Sequence, residues 1–327
     1  MGLLSLIKSK NYGRIAHTAC ERYLNRPLPK WMAKSISSTN KKEFEKQGDV
    51  RLILESYDGS DQVVHPDFLR WNKKLWLICT PYPYGNNKCE NPSVFVGERL
   101  TALSPACKNP IDYPSSKSRG SILSDPCFFE NDGKLFICYR ERIQGKETVT
   151  YNLHIKSSAD GSNWSNKATI KSTQTADADP LISPAIINYD GTNYLYHVRA
   201  KGLGGDIVLS ELDEQLKSKE VKTLACRGLP EGFLIWHIGL HSSRYTKNTE
   251  KTDKILGLFT VRNGKESRVY AAFQESPEQD WIIDKEICVP KSIKETCREL
   301  YKCSYTPDGK IALSFFDEKN RLALVII

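Results

Sequence analysis

Acidic side chains recur just before short apolar segments of the sequence, where they could cleave a glycosidic bond. Asp67 lies in the motif His65-Pro66-Asp67, and Asp125 lies in the motif Ser124-Asp125-Pro126. Glycoside cleavage uses one carboxylate as base or nucleophile and a second, protonated carboxyl group as acid. Asp67 and Asp125 are therefore the candidate catalytic pair. The alternative is that each aspartate only caps a turn or the start of a strand.

Two glutamates are further catalytic candidates. Glu90 lies in the motif Glu90-Asn91-Pro92-Ser93, and Glu141 follows an apolar run. Carboxylates that are forced together have split pKa values, which makes one the acid and the other the base. We expect Glu90 or Glu141 near the aspartates, although a structural role is an equally good reading for each.

Three arginines follow apolar runs in successive parts of the chain, namely Arg140, Arg199 and Arg262. Guanidinium groups that converge on one pocket bind a carboxylate or a phosphate with two parallel hydrogen bonds. The arginines therefore predict an anionic ligand, either an acidic sugar or a nucleotide-sugar. The alternative is that they are rim residues paired with local acids.

The elements that must position these residues are short strands. Apolar runs such as Leu75–Cys79, Leu135–Cys138 and Ile255–Phe259 alternate with turn signals such as Asp132-Gly133 and Asp190-Gly191. Runs of this length with these breakers indicate β-strands joined by hairpins. From about residue 50 to residue 327 we find no periodic segment long enough for a helix.

The hairpins recur with a nearly constant period. Successive units start at Asp67, Asp125, Ser183, His237 and Lys302, which are 58, 58, 54 and 65 residues apart. A β-sandwich does not explain such a period, whereas repeated blades do. The sequence therefore predicts an all-β protein, a five-bladed β-propeller over residues 49–327 with a short N-terminal helical segment over residues 1–48.

Only some positions of a blade can line the central channel. The start of the first strand, the end of the second and the start of the third share one face, because neighbouring strands are antiparallel. Besides the four carboxylates, this rule selects a substrate-binding set, namely His65, Tyr82, Asn91, Arg140, Arg199, His237, Arg262 and Lys302.

The motifs around His65-Pro66-Asp67, Glu90-Asn91-Pro92-Ser93 and Ser124-Asp125-Pro126 resemble the blade signatures of five-bladed propellers related to glycoside hydrolase families 43 and 32. The resemblance covers about residues 55–327 and implies an acid/base or nucleophile pair at Asp67 and Asp125. The chain departs from these hydrolases at the place of the acidic glutamate, where it has Ser183, and it has Cys127 and Gly239 where acids are common. Glu141 and Glu90 are the candidates for the general acid that Ser183 replaces, and Glu231 is a less favoured candidate.

Residues 1–48 differ from the rest of the chain. Apolar side chains from Leu3 to Tyr23 alternate with basic ones and could form a basic amphipathic helix. Such a helix either contacts a membrane surface through residues 1–30 or packs on the main domain. The polar segment Ser37–Lys46 is interpreted as a linker.

Composition excludes several classes of protein. No run approaches the ~18 apolar residues of a membrane span, and the net charge of +8 comes without a nucleic-acid-binding signature. The ten cysteines include no C-x-x-C pair, and neither a metal site nor a cofactor is predicted. The N-terminus lacks the features of a signal peptide. We expect a reduced, cytoplasmic protein at or near the inner membrane face, and a disulfide-bonded secreted protein is the alternative.

These observations together predict a carbohydrate-active enzyme that cleaves or transfers a glycosidic bond in the propeller channel, as in polysaccharide or capsule assembly. Its partner would be a glycan or a nucleotide-sugar. A non-catalytic glycan-binding propeller and a protein-interaction propeller are the alternatives, because a propeller fold alone does not decide function.

Overall fold

The computed structural model describes residues 11–46, 51–175, 179–241 and 254–327, and β-strands dominate it. This confirms the all-β prediction. The helices are α1 (Tyr12–Leu24), α2 (Lys30–Lys46) and α3 (Lys291–Thr296). The strands are β1 (Val63–Trp71), β2 (Lys74–Pro81), β3 (Ser93–Gly97), β4 (Ser104–Pro105), β5 (Ile122–Asn131), β6 (Lys134–Gln144), β7 (Val149–Ser158), β8 (Ala168–Thr175), β9 (Asp179–Tyr189), β10 (Thr192–Lys201), β11 (Gly204–Leu212), β12 (Ser218–Leu224), β13 (Cys226–Arg227), β14 (Leu234–Leu240), β15 (Ile255–Arg262), β16 (Ser267–Gln274), β17 (Trp281–Glu286), β18 (Cys297–Tyr305), β19 (Ile311–Asp317) and β20 (Leu322–Ile326).

The strands form antiparallel runs that follow chain order. The runs β1–β4 and β5–β8 are separate four-stranded sheets, and β18–β20 form a three-stranded sheet. The runs β9–β12 and β14–β17 belong to one nine-stranded sheet, where a single residue pair, Gly205 with Ile235, joins β11 to β14. The first strands of the runs contact one another in cyclic order, β1 with β5, then β9, β14, β18 and back to β1.

Every first strand carries a one-residue bulge at the same place. In β1, Val64 pairs with Thr80, but the next pair is Asp67 with Ile78, so three steps on β1 match two on β2. The same shift recurs after Ser124, Ile182, Ile235 and Leu300. A bulge re-aims side chains and bends the strand. The five residues that open these bulges are equivalent, and they are His65, Asp125, Ser183, Trp236 and Tyr301.

The positions of the bulges show which residues of the first strands are equivalent. Asp67 is equivalent to Cys127 and not to Asp125, because Pro66 aligns with Pro126. Asp125 is instead equivalent to His65, and both residues have a positive φ, 51° and 55°. The prediction that Asp67 and Asp125 occupy equivalent positions was therefore wrong by two residues.

Close packing between neighbouring first strands explains one departure from the family pattern. A Cβ atom at Gly239 of β14 would lie 2.1 Å from the carbonyl oxygen of Cys303 in β18. No real Cβ contact is that short, so β14 and β18 can approach this closely only with glycine at position 239. The acid expected at this position has no room here.

Helix α1 packs against the first run of strands. Its buried residues are Gly13, His17 and Cys20, and the His17 ring lies 5.3 Å from the ring of Tyr84. Asn86 Nδ2 donates to the His17 carbonyl at 3.4 Å. The described part of the predicted amphipathic segment thus packs on the main domain, whereas residues 1–10, including Leu3 and Lys8, lie outside the described residues.

The interpretation of Ser37–Lys46 as a linker was wrong, because these residues continue helix α2. The segment contains no glycine or proline to end a helix. Ser37 Oγ donates to Asp61 Oδ2 at 2.7 Å, which ties α2 to the strand domain. None of the described helices is long and apolar enough to span a membrane.

The hairpin turn at Gly161 packs against the Trp76 ring of β2, and a substitution at Gly161 tests this contact. Gly161 has a φ of +75°, and an added Cβ would lie 2.0 Å from the Trp76 ring. Overpacking and a left-handed backbone together cost about 2–4 kcal/mol. We expect Gly161→Ala to lower the free energy of unfolding by this amount in urea titrations. The matched control is Gly133→Ala, where φ is +71° but the space is open. Equal effects of the two substitutions would contradict the predicted Trp76 contact.

Candidate functional site

Two histidines and an aspartate from three different runs meet where the first strands converge. His65 Nε2 lies 3.1 Å from Asp125 Oδ1, and His237 Nδ1 lies 3.4 Å from the same oxygen. All three side chains are buried. Asp125 Oδ1 and both ring nitrogens of His237 make no hydrogen bond of good geometry, despite these short distances. We call these three residues the His–Asp–His cluster.

Asp125 is the anionic centre of this cluster. Arg140 Nε lies 3.3 Å from Asp125 Oδ2 and donates to Ser124 Oγ at 2.9 Å. Burial alone would raise the pKa of Asp125, but the neighbouring His65, Arg140 and His237 hold it well below its usual value, and of these Arg140 is the permanent cation. Asp125 is therefore ionised at neutral pH and unsuited to the role of a general acid.

The histidines are held in the neutral form. Burial lowers the pKa of His65 well below its usual value, against the opposing charge of Asp125. Burial also lowers the pKa of His237. On the far side of the His65 ring, Nδ1 lies 3.1 Å from Thr80 Oγ1 and 3.4 Å from Glu90 Oε1. A proton on Nδ1 would satisfy both oxygens and leave the Nε2 lone pair directed towards Asp125.

This arrangement fits a divalent metal ion. One ligand atom from each residue of the His–Asp–His cluster lies within 4.8 Å of the other two. Metal ions bind neutral imidazoles and ionised carboxylates, which are the forms that the pKa shifts favour here. A carboxylate next to the second ring nitrogen of a ligating histidine also fixes the orientation of the ring. Glu90 lies next to this nitrogen, Nδ1, of His65. The sequence analysis predicted no metal site, because the three residues come from distant strands without a spacing motif.

An aromatic wall borders the cluster. The Trp236 ring lies 4.5 Å from the His237 ring and 4.4 Å from the Tyr301 ring. Tyr82, predicted to bind substrate, packs 6.1 Å from Tyr301, and the guanidinium of Arg262 lies 3.8 Å above Trp236. Trp236 is buried and Arg262 lies over its ring, so this wall separates the cluster from solvent. Sequence reasoning missed Trp236 and Tyr301, although their bulge positions match those of His65 and Asp125.

Asp67 and Lys302 are buried together. Asp67 Oδ2 accepts from the Phe128 backbone N–H at 2.7 Å, and Oδ1 accepts from Ser304 Oγ at 3.4 Å. Burial raises the pKa of Asp67 to about 6, against the opposing charge of Lys302. Lys302 Nζ donates to the Pro126 carbonyl at 3.3 Å. These bonds give both residues a structural role between neighbouring first strands.

Three other predicted residues make contacts outside the cluster. Arg199 forms an ion pair with Glu220 at 2.7 Å, and 44% of its side chain is exposed. Glu141 accepts from Ser115 Oγ at 3.1 Å and lies 2.7 Å from His154 Nε2. Asn91 donates to the Tyr57 hydroxyl at 2.7 Å.

The pleat of the second strands explains why Arg199 and Glu141 miss the site. Relative to the bulges, Arg140 aligns with Val198, so Arg199 aligns with Glu141. Successive side chains of a strand point to opposite faces, so a shift of one residue changes the face. The predicted convergence of three arginines was therefore wrong for Arg199. Arg262 has the same alignment as Arg199, because Val261 aligns with Arg140, and its guanidinium reaches Trp236 rather than Asp125. Glu141 is also no general acid, because its bonds to His154 and Ser115 outweigh burial and lower its pKa to about 2.

Comparison with known proteins supports the fold. The sequence matches no protein-family model and no curated protein. Among solved structures, an N-acetylgalactosamine deacetylase from F. plautii in complex with blood group B trisaccharide has 16% identity and a TM-score of 0.62, over 81% of this chain and 88% of that chain. A thermostable family-43 glycoside hydrolase has 13% identity and a TM-score of 0.55, over 81% and 88%. A family-43 β-xylosidase/α-arabinofuranosidase from a compost microbial metagenome, in complex with xylotriose, has 13% identity and a TM-score of 0.56, over 85% and 92%. These similarities confirm the predicted resemblance to family-43 propellers and establish a β-propeller fold.

The raised pKa of Asp67 predicts a pH dependence of stability. The folded protein keeps the Asp67 proton up to about pH 6, whereas the unfolded chain loses it near pH 4. Unfolding therefore releases a proton between these values, and the Asp67 contribution to the free energy of unfolding falls by up to about 3 kcal/mol as pH rises through this window. We expect Asp67→Asn to remove this fall, measured by urea titration at several pH values. The exposed turn residue Asp132 supplies the control, Asp132→Asn, and identical pH profiles for all three proteins would contradict the burial argument.

Proposed function

We propose that this protein is a carbohydrate-active hydrolase that acts on a glycan at the His–Asp–His cluster. The observation that carries the proposal is the convergence of His65, Asp125 and His237 on one point beside an aromatic wall. The similar structures support a sugar substrate, because they include glycoside hydrolases and a sugar deacetylase.

Hydrolysis assisted by a divalent ion agrees best with the cluster. Three protein ligands leave coordination positions open, as in catalytic rather than structural metal sites. A bound ion would polarise a carbonyl oxygen and lower the pKa of a bound water molecule. Within the chain, Arg140 holds Asp125 ionised, and Glu90 and Thr80 hold the His65 ring in one orientation. The bond cleaved is then an amide or ester on the sugar, such as an N-acetyl group.

Glycosidic cleavage by two carboxylates is the second candidate, and it is the reaction that the sequence predicted. The family-43 hydrolases among the similar structures favour it. The pKa of Asp67, raised to about 6, would let that carboxyl group act as an acid near neutral pH. Transfer of a glycosyl group from a nucleotide-sugar stays a prediction, as do the cytoplasmic location and the role in polysaccharide assembly.

Product analysis separates the two reactions. The protein is incubated with N-acetylated and non-acetylated oligosaccharides, before and after chelation and with Zn²⁺ or Mn²⁺ restored, and the products are analysed by mass spectrometry. For the metal-assisted reaction we expect loss of acetyl groups, dependence on the ion, and at least a ~100-fold fall in kcat for His65→Ala and His237→Ala. Asp67→Asn is the control and should keep near-normal kcat.

The opposite pattern supports the second candidate. Shortened oligosaccharides, turnover that survives chelation, and a large loss of kcat in Asp67→Asn would show glycosidic cleavage. If glycans bind but no product forms with any ion, the hydrolase proposal is wrong and the non-catalytic glycan-binding alternative holds.

We also propose that the antiparallel runs are the five blades of the predicted propeller. The cyclic contacts of the five first strands support this arrangement. Leu52 N–H donates to the Leu324 carbonyl at 2.8 Å, and Arg51 pairs with Val325, so the chain just before the first run adds to the last sheet. Such pairing between the two ends of the domain would close the ring.

Membrane contact through the corner between α1 and α2 remains a further proposal about partners. Tyr23 and Trp31 are 74% and 72% exposed, and Leu24 is exposed beside them. Exposed basic residues surround these side chains, namely Arg22, Arg26 and Lys30. Aromatic residues among basic ones suit the interface of an anionic bilayer.

Vesicle binding tests the membrane proposal. We expect the full-length protein to bind phosphatidylserine-containing vesicles, and Tyr23→Ala with Trp31→Ala to weaken this binding about tenfold. The control is Tyr113→Ala, because Tyr113 is 61% exposed but belongs to another surface. No difference between the double variant and the control would refute contact through this corner.

A further inference from the structure

A groove begins next to the aromatic wall and runs along β15 and β16 towards α3 and β18. Its first part is a cavity of about 260 Å³, and its second is a cavity of about 650 Å³. The two cavities share Lys265, Glu266, Ser267 and Arg298, so they are continuous. We call them the basic groove, because its charged lining residues are Arg262, Lys265, Arg268, Lys294 and Arg298 with Glu266, Glu286 and Glu299.

The three acids of the basic groove lie close to two of its five bases. Arg268 lies 2.7 Å from Glu266 and 3.5 Å from Glu286. Arg298 lies 3.3 Å from Glu299. The remaining bases, Arg262, Lys265 and Lys294, have no ion pair with any residue that the structure describes. The groove therefore has an excess of positive charge that only an added anion can balance.

Arg262 connects the basic groove to the candidate site. Its guanidinium lies 3.8 Å from the centroid of the Trp236 ring, and its Nε donates to the Leu203 carbonyl. Trp236 in turn contacts His237 of the His–Asp–His cluster. A half-buried guanidinium fixed by stacking loses little entropy when it binds an oxyanion, because its orientation is already set. Burial also lowers the pKa of Arg262, against the opposing charge of Glu299.

We infer that the basic groove binds the acidic substituents of the glycan, so that the substrate is an oligosaccharide carrying oxyanion groups. This inference rests on the proposed function, because it assigns a substrate class to the same site. The combined cavities fall in the size range of sites for small ligands, and their combined volume favours a chain of several sugars over a monosaccharide. Carboxylate, sulfate and phosphate groups share the chemistry that Arg262, Lys265 and Lys294 would recognise.

Binding measurements test the inference without requiring turnover. Calorimetry on the full-length protein compares oligogalacturonate, a sulfated heparin hexasaccharide and a phosphorylated mannan oligosaccharide with neutral xylohexaose. We expect at least one acidic probe to bind more tightly than the neutral one at low salt, and its charge group identifies the substituent. Arg262→Gln, and Lys265→Gln with Lys294→Gln, should weaken that binding about tenfold to a hundredfold. The double variant Lys265→Gln with Lys294→Gln should leave the affinity for xylohexaose unchanged.

Arg199→Gln is the matched control, because Arg199 is also an arginine at the end of a second strand but is paired with Glu220. The inference is overturned if no acidic probe binds more tightly than xylohexaose, or if Arg262→Gln and Arg199→Gln bind the acidic probe equally well. Either result leaves the hydrolase proposal open to its own test by product analysis. Conversely, selective binding of an acidic probe with no product would support the groove and contradict the hydrolase.

Discussion

The one-residue bulge shared by the first strands is the constraint on which the candidate site depends. A regular strand would alternate its side chains between two neighbouring sheets, and none would reach the point where the strands converge. The bulge adds a residue there, with a positive φ at His65, Asp125 and Ser183. Such backbone is costly for residues other than glycine. The chain accepts that cost at three equivalent positions, and the result is a ring of side chains from different runs, next to which His237 also lies.

Asp125 then determines the electrostatics of this ring. A buried carboxylate needs compensating partners, and here Arg140, His65 and His237 supply them from three directions. The arginine keeps the carboxylate charged, while burial keeps the imidazoles neutral. This division of protonation states is what distinguishes the cluster from the paired carboxylates of a glycosidase, in which one group must hold a proton. The same contrast explains why Asp67, without a cation at contact distance, has the raised pKa.

The sequence predicted the strands, the repeat and most members of the site, but not their arrangement. Turn residues and apolar runs are local signals, so the hairpins around Asp132-Gly133 and Asp190-Gly191 could be predicted directly. The register between paired strands, in contrast, depends on residues that are distant in the sequence. The sequence analysis aligned Asp67 with Asp125, whereas the register makes Asp125 equivalent to His65, and the pleat turned Arg199 and Glu141 away from the cluster. His65 and His237 were selected as substrate-binding residues, but nothing in their spacing showed that both approach Asp125. Trp236 and Tyr301 were not predicted as site residues, because their side chains are uncharged and resemble core residues of a strand.

The seam between β11 and β14 has a mechanical consequence. Neighbouring runs also approach closely at Gly239 of β14 and Cys303 of β18, but without pairing of their backbones. At the seam, the Gly204-Gly205 pair lets the backbones approach, since a Cβ at Gly204 would lie 2.4 Å from the Ile235 carbonyl oxygen. The third and fourth runs are thereby joined by backbone pairing, and the fourth run carries Trp236, His237 and Arg262. A change in the spacing of these two runs would therefore have to break this pairing, and it would displace all three side chains together.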